Sequence, residues 1–234
     1  MPDPASWDLL DEAFDNLNDW GDVDSGNGVS EISPAGQLRL DGNAAIGGAT
    51  RNQTITDFPL TLTLEYKLYC DKVGTLANGD SARFMLCGPV AYGEDLYTVF
   101  NSDGLCIYNG SDYIEVGTNT VKTGGSAEWQ IWRFLVNFTT NRVDVYLTDT
   151  THSAAKVGDE LTIGNATGAK DLVQLTTHST VEDDILSHVD YIKIATGLYA
   201  PTQIEAVAGI ALANIEAVAG IARANIEAVA GKTI

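Results

Sequence analysis

"WQIWRFLVNFTTNRVDVYLTD", residues 129–149, decides how this chain folds. Trp132, Phe134, Val136 and Phe138 recur at every second position, with Arg133 and Asn137 on the alternate positions. After "TTN" at 139–141 the rhythm resumes: Val143, Val145 and Leu147 alternate with Arg142, Asp144 and Tyr146. A period of two is the signature of a strand with one buried face. Two such strands joined by a short turn form a hairpin packed on a core. Their opposite face, polar and aromatic, is either plain solvent-facing surface or a binding surface.

The same texture extends outward in both directions. Alternating β-favouring runs stand at 37–40, 60–69, 82–88, 96–100, 104–109, 112–117 and 188–195, punctuated by Gly, Asn, Asp or Pro. "NSDG" at 101–104, like "TTN", reads as a hairpin connection. Many short strands at this spacing predict an all-β antiparallel sandwich or barrel over residues 1–199.

Charge restricts the partners. The chain of 234 residues carries 32 acids against 13 Lys and Arg, a formal charge of -19, and its first 38 residues hold nine acids and no base. Such a surface repels nucleic acid and anionic membranes. The start "MPDPASWDLLDEAFD" has neither a basic segment nor an apolar core, so no secretory signal is expected. No run reaches the 18 or so apolar residues of a membrane span. Cys70, Cys87 and Cys106 lie in apolar, strand-like runs and read as free core thiols.

"EAFDNLNDWGDV", "GQLRLDG", "WQIWRFLVNFTTNRVDVYL" and "VDYIKIA", in that order, resemble the concanavalin A-like (laminin-G-like) jelly rolls over roughly residues 8–198. That family includes legume-type lectins, laminin G domains and family 16 glucanases. The resemblance implies two curved antiparallel sheets with the first and last strands adjacent. It also implies a structural Ca²⁺ where the terminal strands meet, held by Asp11, Glu12, the carbonyl of Gly42 and Asp190, with Asp190 the leading ligand. The alternative is a carboxylate merely hydrogen-bonded at a strand start.

Catalysis is not expected. The glucanases carry Glu-x-Asp-x-x-Glu on one strand; "VEDDILSH" offers Glu182 and Asp184, but Ser187 stands where the second glutamate would be. There is no Gly-x-Ser-x-Gly elbow, and His152, His178 and His188 have no metal-ligand spacing. Carbohydrate binding is what the architecture implies, since sugars stack on exposed rings and bond to Asn and Asp. Suitable residues are Tyr92, Asp95 and Tyr97 in "VAYGEDLY", and Tyr108, Asn109, Asp112 and Tyr113 nearby.

From 200 to 234 the chain changes character. "IEAVAGIALANIEAVAGIARANIEAVAG" repeats every 11 residues, with units starting at Ile204, Ile215 and Ile226. On a helix, Ile204, Val207, Ala211, Ile215, Val218, Ala222, Ile226 and Val229 form one apolar stripe of hendecad spacing. Gly209, Gly220 and Gly231 favour instead a short helical turn alternating with an extended piece. Either way the repeat needs neighbouring chains, and a homotrimer is the favoured state. The tail resembles the "I-x-x-V-x-G-[IV]-A-x-A-x" repeats of bacteriophage structural proteins. A lectin-like domain on such a tail implies a non-enzymatic virion surface protein, assembled in the bacterial cytoplasm with other virion proteins and displaying a glycan-binding domain. The alternatives are a secreted carbohydrate-binding module and, third, a glycoside hydrolase with unorthodox carboxylates.

Overall fold

A computed structural model describes residues 4–42, 48–55, 58–75, 80–87, 96–118, 120–164, 172–179 and 185–201. The repeat residues from Ile204 to Val229, the loop residues Tyr92 and Asp95, and Glu182 and Asp184 lie outside the described residues.

Among the described residues, fifteen strands make two antiparallel sheets. In chain order they are β1 Leu10–Glu12, β2 Gly21–Asp22, β3 Val29–Ile32, β4 Leu38–Gly42, β5 Thr50–Thr54, β6 Thr61–Lys72, β7 Ser81–Cys87 and β8 Leu96–Asn101. Then follow β9 Gly104–Tyr108, β10 Tyr113–Thr118, β11 Gln130–Asn137, β12 Arg142–Thr148, β13 Ala155–Thr162, β14 Leu172–His178 and β15 Ile185–Thr196. The eight-stranded sheet runs β13-β12-β11-β6-β15-β4-β3, with β1 also on β15; the seven-stranded sheet runs β10-β9-β8-β7-β14-β5-β2. This is the expected jelly-roll sandwich. First and last strands are adjacent, Leu10 opposite Ile194.

The hairpin at 129–149 pairs in the register its alternation predicts, Trp132 opposite Leu147 and Phe134 opposite Val145. Its turn is made by Asn137, whose Oδ1 accepts the N–H of Thr139 and Thr140, and by Asn141 at φ 53. At "NSDG", Asn101 Oδ1 accepts the N–H of Asp103 and Gly104 in the same way. Asn serves in both because its short side chain mimics a backbone turn and tolerates positive φ.

Tyr66 joins the two sheets across the core. Its ring stacks on Phe134 of its own sheet at 5.7 Å and on Phe84 of the other at 5.2 Å, with Phe100 edge-on at 5.6 Å. Trp132, Phe134 and Phe84 are buried beside it. Cys70 and Cys106 are free and buried, Cys70 within the core as expected and Cys106 outside it; burial pushes the Cys70 thiol up to about 12.

On the outer face of the eight-stranded sheet, Arg133 pairs with Glu65 (Nε to Oε2 2.7 Å), which also accepts the Tyr191 hydroxyl at 3.0 Å. The chain leaving β15 turns back over this face. Gly197 N–H donates to Thr61 O, Thr63 Oγ1 donates to Gly197 O at 2.8 Å, and Tyr199 N–H donates to Thr63 Oγ1 at 2.8 Å. Residues 197–199 are thereby fastened to the sheet that lies opposite β7 to β10.

Candidate functional site: the outer face of the seven-stranded sheet

Alternation in β7, β8, β9 and β14 sends Phe84, Leu86, Phe100, Ile107 and Leu175 into the core. The intervening residues must then stand on the outer face. Cross-strand register aligns them into rows. Tyr113 faces Tyr108, Tyr108 lies one step beyond the Thr98–Ile107 pair and so faces Tyr97, and Tyr97 faces Met85. Met85 faces Gln174, and Gln174 faces Asn52. Six strands thus contribute one residue each to a row that begins with three tyrosines and ends with two amides. At about 4.8 Å between strands the row is roughly 24 Å long.

The neighbouring row reads Glu115, Cys106, Val99, Arg83, Thr176 and Thr50. It brings a guanidinium beside the aromatic row. Arg83 stands with its guanidinium carbon 5.8 Å from the Tyr97 ring centroid, and its Nε donates to Ser81 Oγ at 2.8 Å.

The three tyrosines form a closed cluster with ring centroids 5.2 to 6.1 Å apart. Tilted and edge-on pairs of this kind are the favourable geometry for rings with negative faces and positive edges. Tyr113, at 40% exposure, is the most open of the three. Burial pushes the Tyr97 phenol well above its ordinary value, against the lowering pull of Arg83. Tyr97 therefore stays a neutral phenol at physiological pH and acts as a ring and a hydrogen-bonding hydroxyl.

Beside this cluster the face sinks into a cleft of about 380 Å³, bounded by Arg83, Met85, Tyr97, Gln174, Thr176 and His178. Its polar wall is organised from within: Thr50 and Thr176 share a hydroxyl hydrogen bond of 2.7 Å, and Gln174 Nε2 donates to Asn52 Oδ1 at 2.8 Å. Volume and lining suit a small polar ligand with one flat apolar side.

Of the sequence-predicted glycan residues, Tyr97, Tyr108 and Tyr113 are brought together. Asn109 and Asp112 close the β9–β10 hairpin instead: Asn109 Oδ1 accepts the N–H of Ser111 and Asp112, and Asn109 N–H donates to Asp112 O. The Asn109 oxygen is occupied by the turn. Sequence reading missed Arg83, Met85, Gln174, Thr176 and Thr50. Alternation within "ARFMLC" could have assigned Arg83 and Met85 outward, but nothing local marks β14 or β5 as their neighbours.

The four residues expected to hold Ca²⁺ lie apart along the sheet. Gly42 faces Ile185, whereas Asp190 lies five residues along β15, roughly 16 Å away at strand rise. Asp190 pairs with Lys67 at 2.9 Å and Asp11 with Lys193 at 3.1 Å. Glu12 turns back to the Phe14 N–H and the Trp20 indole. Among the described residues no group of three or more His, Cys, Asp or Glu is placed to hold a metal ion.

No protein-family model matches the chain, and no curated protein matches it in sequence. Solved structures do. A sialidase superposes with TM-score 0.62 at 11% identity over 80% of this chain, which spans only 18% of the sialidase chain. A Lotus tetragonolobus seed lectin gives 0.53 at 10% identity, covering 82% of this chain and all of the lectin. Lectin I from Ulex europaeus, in complex with the methyl glycoside of α-L-fucose, gives 0.56 at 11% identity over 80% and 95%. At such identities the likeness is one of fold alone: the two described antiparallel sheets form a β-sandwich of the concanavalin A-like kind.

Proposed function

We propose that the outer face of the seven-stranded sheet binds glycans, and that this non-catalytic domain is the displayed part of a bacteriophage surface protein, held by its C-terminal repeat. The observation that carries the reading is the three-tyrosine cluster continuing into a polar cleft on one open sheet face. Apolar ring faces and convergent amide and hydroxyl groups are what a sugar requires, because it presents CH patches on one side and hydroxyls around its edge. The solved Ulex lectin of the same fold carries a fucose glycoside, which favours a sugar ligand over a protein one.

The course of residues 197–199 supports display. They run over the eight-stranded sheet, on the side opposite the tyrosines. A tail that anchors or trimerises there leaves the cleft facing outward. The 11-residue repeat supports oligomerisation by the apolar stripe from Ile204 to Val229.

Two measurements test this. The full chain applied to an array of bacterial surface polysaccharides should bind a restricted set, and replacement of Tyr97 and Tyr113 by Ala should abolish that binding; an array with no bound member rejects the glycan reading. The solution mass of the full chain should be that of a trimer, and that of a chain ending at Tyr199 a monomer. Two monomers would reject self-assembly through the repeat and leave a secreted binding module as the better account.

A further inference from the structure

We propose that the cleft receives an acetamido sugar, with Gln174 accepting the amide N–H and Met85 meeting the acetyl methyl; the inference rests on the glycan reading above and names its ligand class. Tyr97, Met85 and Gln174 stand on three successive strands, each opposite the next, and all three bound the cleft. Two strand intervals are about 10 Å, a distance that one acetamido-pyranose spans. A pyranose stacked on Tyr97 therefore directs a ring substituent across Met85 towards Gln174.

The hydrogen bonds behind the wall fix what it offers. Gln174 Nε2 donates to Asn52 Oδ1 at 2.8 Å, so Oε1 is the amide atom left to the cleft. The Thr176 hydroxyl donates to Thr177 O at 3.1 Å, so the 2.7 Å bond between Thr50 and Thr176 is donated by Thr50. The Thr50 oxygen, like Gln174 Oε1, is then an acceptor whose neighbouring protons point inward. Such groups answer donors. In a planar trans amide the N–H and the acetyl methyl lie along the same edge. That edge needs an acceptor beside an apolar group, and Gln174 and Met85 are directly opposed, with Cβ atoms of such pairs about 5 Å apart. The flexible thioether chain of Met85 adapts to a methyl group. A sugar hydroxyl in the same place offers the donor alone and sets a polar oxygen against Met85.

The experiment measures the full chain against oligosaccharides matched in length and linkage, built on N-acetylglucosamine or glucose, N-acetylgalactosamine or galactose, and N-acetylmannosamine or mannose. Within a bound pair the acetamido member should bind about tenfold tighter, the combined effect of one net hydrogen bond and one buried methyl. Met85→Ala and Gln174→Leu should each reduce that ratio about threefold to fivefold. The ratio is taken within one protein, so a partly folded variant weakens both members alike and does not blunt the test. Equal affinities within every bound pair, or a ratio that both variants leave unchanged, overturn the inference and leave the glycan reading standing. Binding of no panel member overturns both.

Discussion

Asp149 closes the β12–β13 hairpin, and its removal has a calculable consequence. Its Oδ1 accepts the N–H of Thr151 at 2.8 Å and of His152 at 2.7 Å, the Thr151 hydroxyl at 2.9 Å, and contacts His152 Nδ1 at 2.9 Å. Its Oδ2 accepts Gln130 Nε2 at 3.0 Å, and the same Gln130 reaches Thr120 O and Lys122 N–H. The carboxylate thus ties one hairpin to the segment leading into β11. Burial pushes the carboxyl up, but the hydrogen bonds from Thr151 and His152 outweigh it and hold the acid at about 2, against an ordinary 3.8. That difference corresponds to about 2.4 kcal/mol. The side chain is fully covered, but the turn lies at the surface, and solvent screening reduces the effect to about 2 kcal/mol.

Because the folded-state value is the lower one, this stabilisation is complete above about pH 4 and is lost as the pH falls towards 2. Asp149→Asn should therefore be less stable to urea by about 2 kcal/mol at pH 7, with a lower midpoint and an unchanged slope. The gap to the parent should narrow steadily below pH 4. Carbon NMR should show the Asp149 carboxyl titrating near 2. Equal stability at pH 7, or a gap that persists undiminished at pH 2.5, would refute the reasoning.

Glu65→Ala should destabilise the domain by about 3–5 kcal/mol in the same assay, since it removes the carboxylate paired with the buried Arg133 and the Tyr191 hydroxyl's acceptor; a loss under 1 kcal/mol would show the pair to be solvated. Native Cys70 should resist a thiol-specific dye and react only after unfolding, because burial keeps it a thiol at physiological pH; rapid labelling of the folded chain would contradict this. Tyr113→Ala should weaken glycan binding about fivefold while changing stability by under 1 kcal/mol, because the ring is partly exposed at the edge of the cluster.

What could be read in advance depended on what each strand buries. β11 and β12 were legible because Trp132, Phe134, Val136, Val143, Val145 and Leu147 all face one core, and side-chain alternation is a local property. β5, "TRNQT", has no such rhythm. The Nη2 of its buried Arg51 donates to Ser30 O and pairs with Asp22, partners that exist only after folding. β14, "LVQLTTH", shows two apolar alternations and then buries Thr177, and β13 shifts register twice against β12. Polar groups buried with long-range partners leave no periodic trace.

The site divides along the same line. By itself the sequence determined the sandwich, its hairpin turns, and three tyrosines in two adjacent runs, because strand period and turn chemistry act over a few residues. Only the tertiary structure decided that Met85, Gln174 and Asn52 extend the tyrosine row, that Arg83 lies beside it, and that Asp11, Glu12, Gly42 and Asp190 stay apart. Strand neighbours such as Asn52 and Gln174 are 122 residues apart in the chain. They meet because burying both sheets' inner faces at once fixes strand order and register, and no local pattern encodes that choice.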